Sequence, residues 1–500
     1  MPNLYTEPPE QDLSQPIRKW AENTPEALAI STNDIRLSYA ELDDCVARCA
    51  TFLADHDVAD LELCALDLSD RLFFIICWSA LFRLRVTSTA FSTDTPRARK
   101  DSIAAACGAG AVISDGDQKV AGTRLISADL ARVMAHPYDP GRPLKRGSSR
   151  YAMLIAGSGT TGAPKIIAVS FDAILASAPT ESSIWGLGPN DVTFTTVQPW
   201  VSSVSLRVFN ALYKGGAFHI WSECNLDSFD AIEKARVNKI FMAVIHAEGM
   251  VQHAQKSKRR LPAGTELTIY ASVVTEGLVS RIKENLTDQV RIVYGANELG
   301  VVADLDLTSD KRPIGSVGQV SEGAQVEIVD DNDAVLPAGV AGIVRARAPR
   351  LFSEYIGEAE ETARVLRNGW FYPGDVAKLD ENGHLILLGR SDQMMIYGGL
   401  NIYPAEIESV ISTHPAVTDV AVMPMKHKVH QDVPICAVVK QSWEKVTEKD
   451  LRSFAKKQLG NRVPARIFVL DQIPRNDSGK IVRKELAAIL SERIRASKRR

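Results

Sequence analysis

At 500 residues the chain is longer than one ordinary core, and about 150 residues per domain gives roughly three structural units. With 45% hydrophobic residues, 24% charged residues and a formal net charge of -3, the composition is globular and offers no global field for drawing in nucleic acid. That turns attention from nucleic-acid partners to small-molecule chemistry.

The seven cysteines (Cys45, Cys49, Cys64, Cys77, Cys107, Cys224, Cys436) are odd in number, scattered and without a CxxC pair. Such spacing predicts reduced thiols in a cytosol-like compartment, with no disulfide framework and no zinc site. The most apolar run, residues 73–82 between Arg71 and Arg83, is short of the roughly 20 residues a membrane helix needs, so a buried core helix and no membrane span are expected. The start, MPNLYTEPPEQDLSQ, lacks the basic and apolar regions of a secretory signal, and a cytoplasmic location is expected.

In chain order, the first 150 residues alternate helical patterns with short apolar strands: a helix near Tyr39–Asp55, a strand near 61–66, a helix from Arg71 and a strand at Ala111–Ser114. That alternation predicts an α/β fold, sheets covered by helices. From residue 314 to 348 the texture changes, because strand-like runs at 324–329 and 342–346 flank the turn-rich DDNDAVLPAG, and a small antiparallel sheet or barrel is expected. After Gly389 a third, α+β unit begins. Pro404 opens a helix with Ile407, Val410 and Ile411 on one stripe. Strands at 417–423 and 433–439 follow, then a helix capped by Thr447 with Leu451, Phe454 and Leu459 inward, and a strand at 466–470.

The densest local signal is GSGTTGAPK, residues 157–165. Its glycines allow close backbone approach, and three hydroxyls and a lysine can surround phosphate oxygens. It is not a Walker sequence, since Ala163 stands where that motif requires lysine, and it lies between strand patterns at Tyr151–Ala156 and 166–169 instead of opening a helix.

GSGTTGAPK resembles the phosphate loop of the adenylate-forming superfamily of acyl-CoA synthetases, luciferases and peptide-synthetase adenylation domains. Further motifs of that superfamily follow in order along nearly the whole chain. The resemblance implies that Ser158, Gly159, Thr160, Thr161, Gly162 and Lys165 cradle the phosphates of ATP. YGANE, residues 294–298, resembles the family's YGxTE, which implies that Tyr294 stacks on adenine and that Glu298 helps hold Mg2+ on the phosphates. Asn297 replaces the family threonine, and its amide can donate to an α-phosphate oxygen. GWFYPGD, residues 369–375, resembles GWxxTGD and implies that Asp375 accepts the ribose hydroxyls. Pro373 departs from the pattern.

GRSDQMMIYGGLNIYPAEIE, residues 389–408, matches the family's hinge. It implies that Arg390 contacts ribose or phosphate, that Asp392 is the pivot of a mobile C-terminal lid, and that Gly398 and Gly399 leave room for a pantetheine arm. PRNDSGKIVR, residues 474–483, resembles PxTxxGKxxR and implies that Lys480 bridges the substrate carboxylate and α-phosphate, where a positioned ammonium stabilises developing charge. The implied division is an N-terminal domain at 1–391, with a β-rich subdomain at 313–391, and a lid at 392–500.

The implied reaction has two steps. A small-molecule carboxylic acid attacks the α-phosphorus of ATP and expels pyrophosphate. A thiol then attacks the acyl-adenylate and expels AMP. Amino-acid-selecting members carry an aspartate near the position of Ser202, and none stands here, so an acyl or aryl acid is expected. Trp200, Val201, Ser202, His246 and Ala271 lie in segments that line the acid pocket in this family. The GGLNIYP run resembles the CoA-ligase form, which makes coenzyme A the first-choice acceptor. Two alternatives stay open: loading of the phosphopantetheine of an acyl carrier protein, and a nucleotide or acyl-adenylate binding protein without turnover.

Overall fold

The computed structural model describes residues 12–157, 165–221, 229–270, 274–308, 313, 315–397, 400–427, 431–440, 446–475 and 481–498. Ser38 starts helix α1 (Tyr39–Asp55) with a reciprocal capping box, its hydroxyl accepting from the Glu41 amide while the Glu41 carboxylate accepts from the Ser38 amide. Strand β1 (Leu63–Asp67) leads to α2 (Arg71–Arg83), which is buried on nearly every face, as its run of apolar residues broken only by Ser79 requires. Strands β2 (Thr87–Ala90), β3 (Ala111–Ser114), β4 (Tyr151–Ala156) and β5 (Ile166–Ser170) complete most of the first sheet. Its order is Glu354–Tyr355, β5, β4, β2, β1, β3, Arg124–Ser127. Strands β1 to β4 are parallel, and β4 and β5 form an antiparallel pair joined in sequence by the glycine-rich stretch.

A second run of alternating elements follows: α3 (Phe171–Ile184), β6 (Val192–Thr195), α4 (Ser202–Tyr213), β7 (Ala217–His219), β8 (Lys239–Ala243), α5 (Val244–Ser257), β9 (Glu266–Tyr270), α6 (Glu276–Asn285) and β10 (Val290–Ala296). Strands β7, β6, β8, β9 and β10 pair in that order, all parallel. Thr195, Ala243, Tyr270 and Ala296 therefore end at one edge, the edge at which open α/β sheets form a ligand crevice.

The antiparallel strands expected after residue 313 are present, and they are hydrogen-bonded onto this second sheet. Strand β11 (Gly300–Asp306) turns back along β10, and β12 (Ser316–Val320) continues outward. Strands β13 (Gln325–Val329), β14 (Gly342–Arg347), β15 (Asp375–Leu379) and β16 (His384–Arg390) extend the same sheet, with β12 pairing to β16. Among the described residues it numbers 15 strands.

The C-terminal unit has α7 (Pro404–Ser412), β17 (Val417–His427), β18 (Gln431–Lys440), α8 (Glu448–Leu459), β19 (Arg466–Val469) and α9 (Arg483–Lys498). Ile407, Val410 and Ile411 are buried as their spacing predicts, and Thr447 caps α8 in a box with Asp450. Leu451 and Leu459 point inward, while Phe454 is half-buried against the edge of His414. The two apolar clusters of this unit contain no buried residue before Met395.

Candidate active site

Gly157 and Lys165 form the neck of the β4–β5 hairpin, the Gly157 amide donating to the Lys165 carbonyl at 2.8 Å. Residues 352–356 lie beside this neck and are stitched to two structures at once. The Ser353 and Ile356 amides donate to the carbonyls of Ala168 and Ile166 on β5, and the Phe352 amide donates to the carbonyl of Glu298 at 2.6 Å. The segment thus ties the β4–β5 hairpin to the turn that carries YGANE. Tyr355 is its focus. The buried Tyr355 hydroxyl donates to Glu298 Oε1 at 2.8 Å, and Lys165 Nζ sits 5.4 Å from the Tyr355 ring centroid. Lys165 also pairs with Glu361, whose carboxyl is held at about 2 by Arg364 first and Lys165 second. Burial, then the neighbouring Glu298 carboxylate, pushes the Tyr355 phenol up, so it stays a donor.

The turn between β10 and β11 is tight. A Cβ on Gly295 would lie 2.0 Å from the Gly300 carbonyl oxygen, so glycine is the residue the crossing permits. One residue earlier, Tyr294 donates its hydroxyl to Asp375 Oδ2 at 2.5 Å. Arg390 approaches the other oxygen of Asp375 at 3.3 Å, also donates to the Pro373 carbonyl, and lies 3.7 Å from Asp392. Gly374 adopts φ +81, and a Cβ there would meet Arg390 Nη2 at 2.9 Å. The departure at Pro373 therefore keeps what Arg390 uses, a carbonyl, and loses only an amide. Burial pushes the Asp375 carboxyl up, while Tyr294 and Arg390 oppose the shift. The Tyr294 phenol is raised by burial and by Asp375. The tyrosine expected to meet a base through its ring is thus anchored by its hydroxyl to the carboxylate expected to meet ribose.

At the same edge, Ser202 Oγ, at the start of α4, donates to Asn297 Oδ1 at 3.3 Å. His246, just past β8, shares a 2.8 Å hydrogen bond with Thr196 Oγ1, and burial lowers its pKa. Trp200 packs edge-on against Phe74, ring centroids 6.3 Å apart, and the neighbouring Val201 is exposed. Lys165 and Glu298 thus meet through Tyr355, Tyr294 meets Asp375 and Arg390, and Asn297 meets Ser202. Asp392 lies in the short 3-10 turn Ser391–Gln393 and is exposed. Ser158, Gly159, Thr160, Thr161, Gly162, Ala271, Gly398, Gly399 and Lys480 lie outside the described residues.

Sequence reasoning missed Tyr355, Glu361 and Arg364. EYIG carries no phosphate-binding pattern, and the significance of Tyr355 comes from partners 57 and 190 positions away, beyond the reach of any local signal. The donor set suits a hard cation bound together with phosphate. Glu298 offers a half-buried carboxylate with one oxygen held by Tyr355, and among the described residues no three His, Cys, Asp or Glu side chains gather into a protein cage. Magnesium, which keeps waters and takes phosphate oxygens beside one or two carboxylates, fits that arrangement.

Two α/β sheets, a β4–β5 hairpin joined through a glycine-rich sequence and motif residues gathered near the ends of parallel strands define an adenylate-forming type of protein. The model of the AMP-binding enzyme family matches residues 17–356, that of the AMP-binding enzyme C-terminal domain matches residues 406–480, and the chain belongs to this family. It is 29% identical over 355 residues to 4-coumarate–CoA ligase of Pinus taeda, covering 67% of this chain and 64% of that protein, so the chain spans less than two thirds of the length of this relative. It is 28% identical over 483 residues to 2-succinylbenzoate–CoA ligase of Geobacillus kaustophilus, covering 93% of this chain and 96% of the relative. Among solved structures, amide bond synthetase McbA from Marinactinospora thermotolerans shares the fold with a TM-score of 0.85 at 22% identity, over 96% of this chain and 99% of that one.

Proposed function

We propose that this chain uses ATP to activate a small-molecule carboxylic acid as its acyl-adenylate and passes the acyl group to a thiol, with coenzyme A as the acceptor. The observation that carries this reading is the linkage of five motif residues around the β10–β11 turn: Lys165 and Glu298 through Tyr355, and Tyr294 with Asp375 and Arg390. The names of the pine and Geobacillus relatives, both CoA ligases, support coenzyme A as acceptor.

In this reading Lys165 and the glycine-rich loop hold the phosphates, and Asp375 and Arg390 hold the ribose. Glu298 ligates magnesium, which supplies charge neutralisation on the phosphates when bound. Asn297, kept in place by Ser202, donates to an α-phosphate oxygen. The acid carboxylate attacks the α-phosphorus, pyrophosphate leaves, and the thiol then displaces AMP from the mixed anhydride. Residues 392–500 act as a lid that turns about Asp392, carrying Lys480 to the first step and the Gly398–Gly399 backbone to the second.

Exchange of labelled pyrophosphate into ATP, run across a panel of acids, tests acid activation. No exchange with any acid, together with measurable nucleotide binding, would make the chain a binding protein. Thioester formation with coenzyme A against a set of carrier proteins separates the two acceptors. Lys480→Ala is expected to abolish exchange while leaving thioester formation from a supplied acyl-adenylate largely intact, and equal loss of both steps would contradict its role.

A further inference from the structure

Behind the crevice edge lies a buried ionic cluster that the reaction as described does not use. Glu181 on α3 binds Arg350 Nε through Oε1 at 2.8 Å and Asn210 of α4 through Oε2 at 3.0 Å, and all three side chains are buried. Arg207, on the same helix as Asn210, is only 8% exposed. Its guanidinium lies 3.2 Å over the Trp185 ring and 5.2 Å from that of Phe241. Arg207 Nη1 is fully buried and has no hydrogen-bond partner among the described residues. Both oxygens of Glu181 already serve others, so the cluster sets two guanidiniums against one carboxylate. Contact with aromatic faces recovers less than the desolvation of a guanidinium costs, and the arrangement is short of one anion.

The position of Arg207 says where that anion would come from. Arg207 follows Ser203 by one helical turn, placing the two on one face of α4. Burial pushes the Tyr270 phenol up, while the neighbouring Thr195 and Ser203 hydroxyls and the charge of Arg207 oppose the shift. Tyr270, Val293 and Val301 pack against the Trp185–Phe241 cluster and are themselves only half-buried, and Thr195 and Tyr270 end at the same sheet edge. Ser202, touching Asn297, opens the helix, and Arg207 lies five residues deeper, about 7.5 Å along the axis.

We propose that Arg207 anchors a second carboxylate on the acid substrate, so that the preferred substrates are dicarboxylic acids with one carboxylate presented to the nucleotide and the other to the guanidinium. This rests on the acid-activating function proposed above and adds the substrate class. The planar guanidinium of Arg207, whose Nη1 is unpaired among the described residues, can meet a distal carboxylate that a monoacid of equal length lacks. A buried donor left unpaired is what lets such a site reject the analogue that lacks the group.

The test compares dicarboxylic acids of about 7 to 8 Å separation with partners in which a methyl group replaces the distal carboxylate, by pyrophosphate exchange and by the shift in Tm that each acid causes without ATP. The wild-type chain is expected to favour the dicarboxylate by about 100-fold in kcat/KM and to be stabilised by it alone. Arg207→Met should erase both preferences, and Arg207→Lys, which keeps the charge without the fork, should retain a part of each. Equal use of both acids by the wild type, or a preference that survives Arg207→Met, overturns the inference while leaving acid activation standing. Dicarboxylate-specific stabilisation that needs Arg207, without exchange on any acid, upholds the anchor and overturns the enzyme reading. Neither exchange nor stabilisation overturns both.

Discussion

Tyr355 shows how a single hydroxyl can set the geometry of a site without entering the chemistry. By donating to Glu298 Oε1 it fixes which oxygen of that carboxylate faces outward, and its ring supports Lys165. Tyr355→Phe keeps the ring and removes the hydrogen bond. The expected outcome is a roughly 10-fold loss in exchange rate with a raised magnesium requirement, the size usual when a partner that orients a metal ligand is lost. A magnesium titration of both proteins checks this, and an unchanged magnesium dependence would reduce Tyr355 to packing. His219, at the end of β7, belongs to stability instead. Its Nδ1 meets Ser31 Oγ at 2.9 Å, its Nε2 is buried without a partner among the described residues, and burial depresses its pKa to about 4 from 6.5. The unfolded chain therefore takes up a proton at His219 that the folded chain refuses. The stability tied to the neutral ring is complete above pH about 6.5 and is lost as pH falls from there toward about 4. Urea unfolding at successive pH values should show this slope, and His219→Gln should flatten it.

Elements carry the parts of the fold that the sequence made readable and the parts that it hid. The helix at Tyr39–Asp55 and the strand at Ala111–Ser114 fall where the pattern of apolar residues sets them, because capping, periodicity and turn chemistry act over a few neighbours. The pairing of β12 with β16 and the seating of Glu354–Tyr355 on β5 join stretches about 70 and 190 residues apart, and no local property of either stretch names its partner. The site divides in the same way. GSGTTGAPK, YGANE and PGD carry chemical types recognisable in place, whereas Tyr355 and the cluster of Glu181, Asn210, Arg207 and Arg350 exist only once α3, α4 and the segment after β14 have packed. That packing has a measurable strength. Glu181→Ala would leave two buried guanidiniums with no carboxylate between them, and a loss of about 3 to 5 kcal/mol is expected, read from the shift of the urea midpoint. A loss below about 1 kcal/mol would mean that water replaces the carboxylate.

At the scale of the molecule, among the described residues, the C-terminal unit meets α6 through few polar contacts. Arg281 on α6 donates to Glu248 of α5 at 2.5 Å and reaches across to the carbonyls of Val417 and Thr418 at 3.4 and 3.3 Å. Gly277, at the start of the same helix, lies where a Cβ would be 2.5 Å from the Ser412 carbonyl oxygen. Two main-chain acceptors and one close approach make a contact that can be released without breaking a core, as a proposed lid requires. Arg281→Ala is expected to weaken the seat of this unit and to speed protease cleavage between residues 391 and 404, with little change in the unfolding of the larger part. Unaltered cleavage would assign Arg281 to the support of α5 alone.

The bridging strand Glu354–Tyr355 has a further consequence for how the polypeptide could be divided. Glu298 and Lys165 lie before the exposed turn at residues 330–339, and Tyr355, Asp375 and Arg390 lie after it. A break in that turn would leave one piece with the β4–β5 hairpin and another with the tyrosine beside it, each lacking half of the proposed nucleotide cradle. Such fragments fused to two interacting proteins would regain turnover only when brought together, making the turn a natural place to build a complementation reporter.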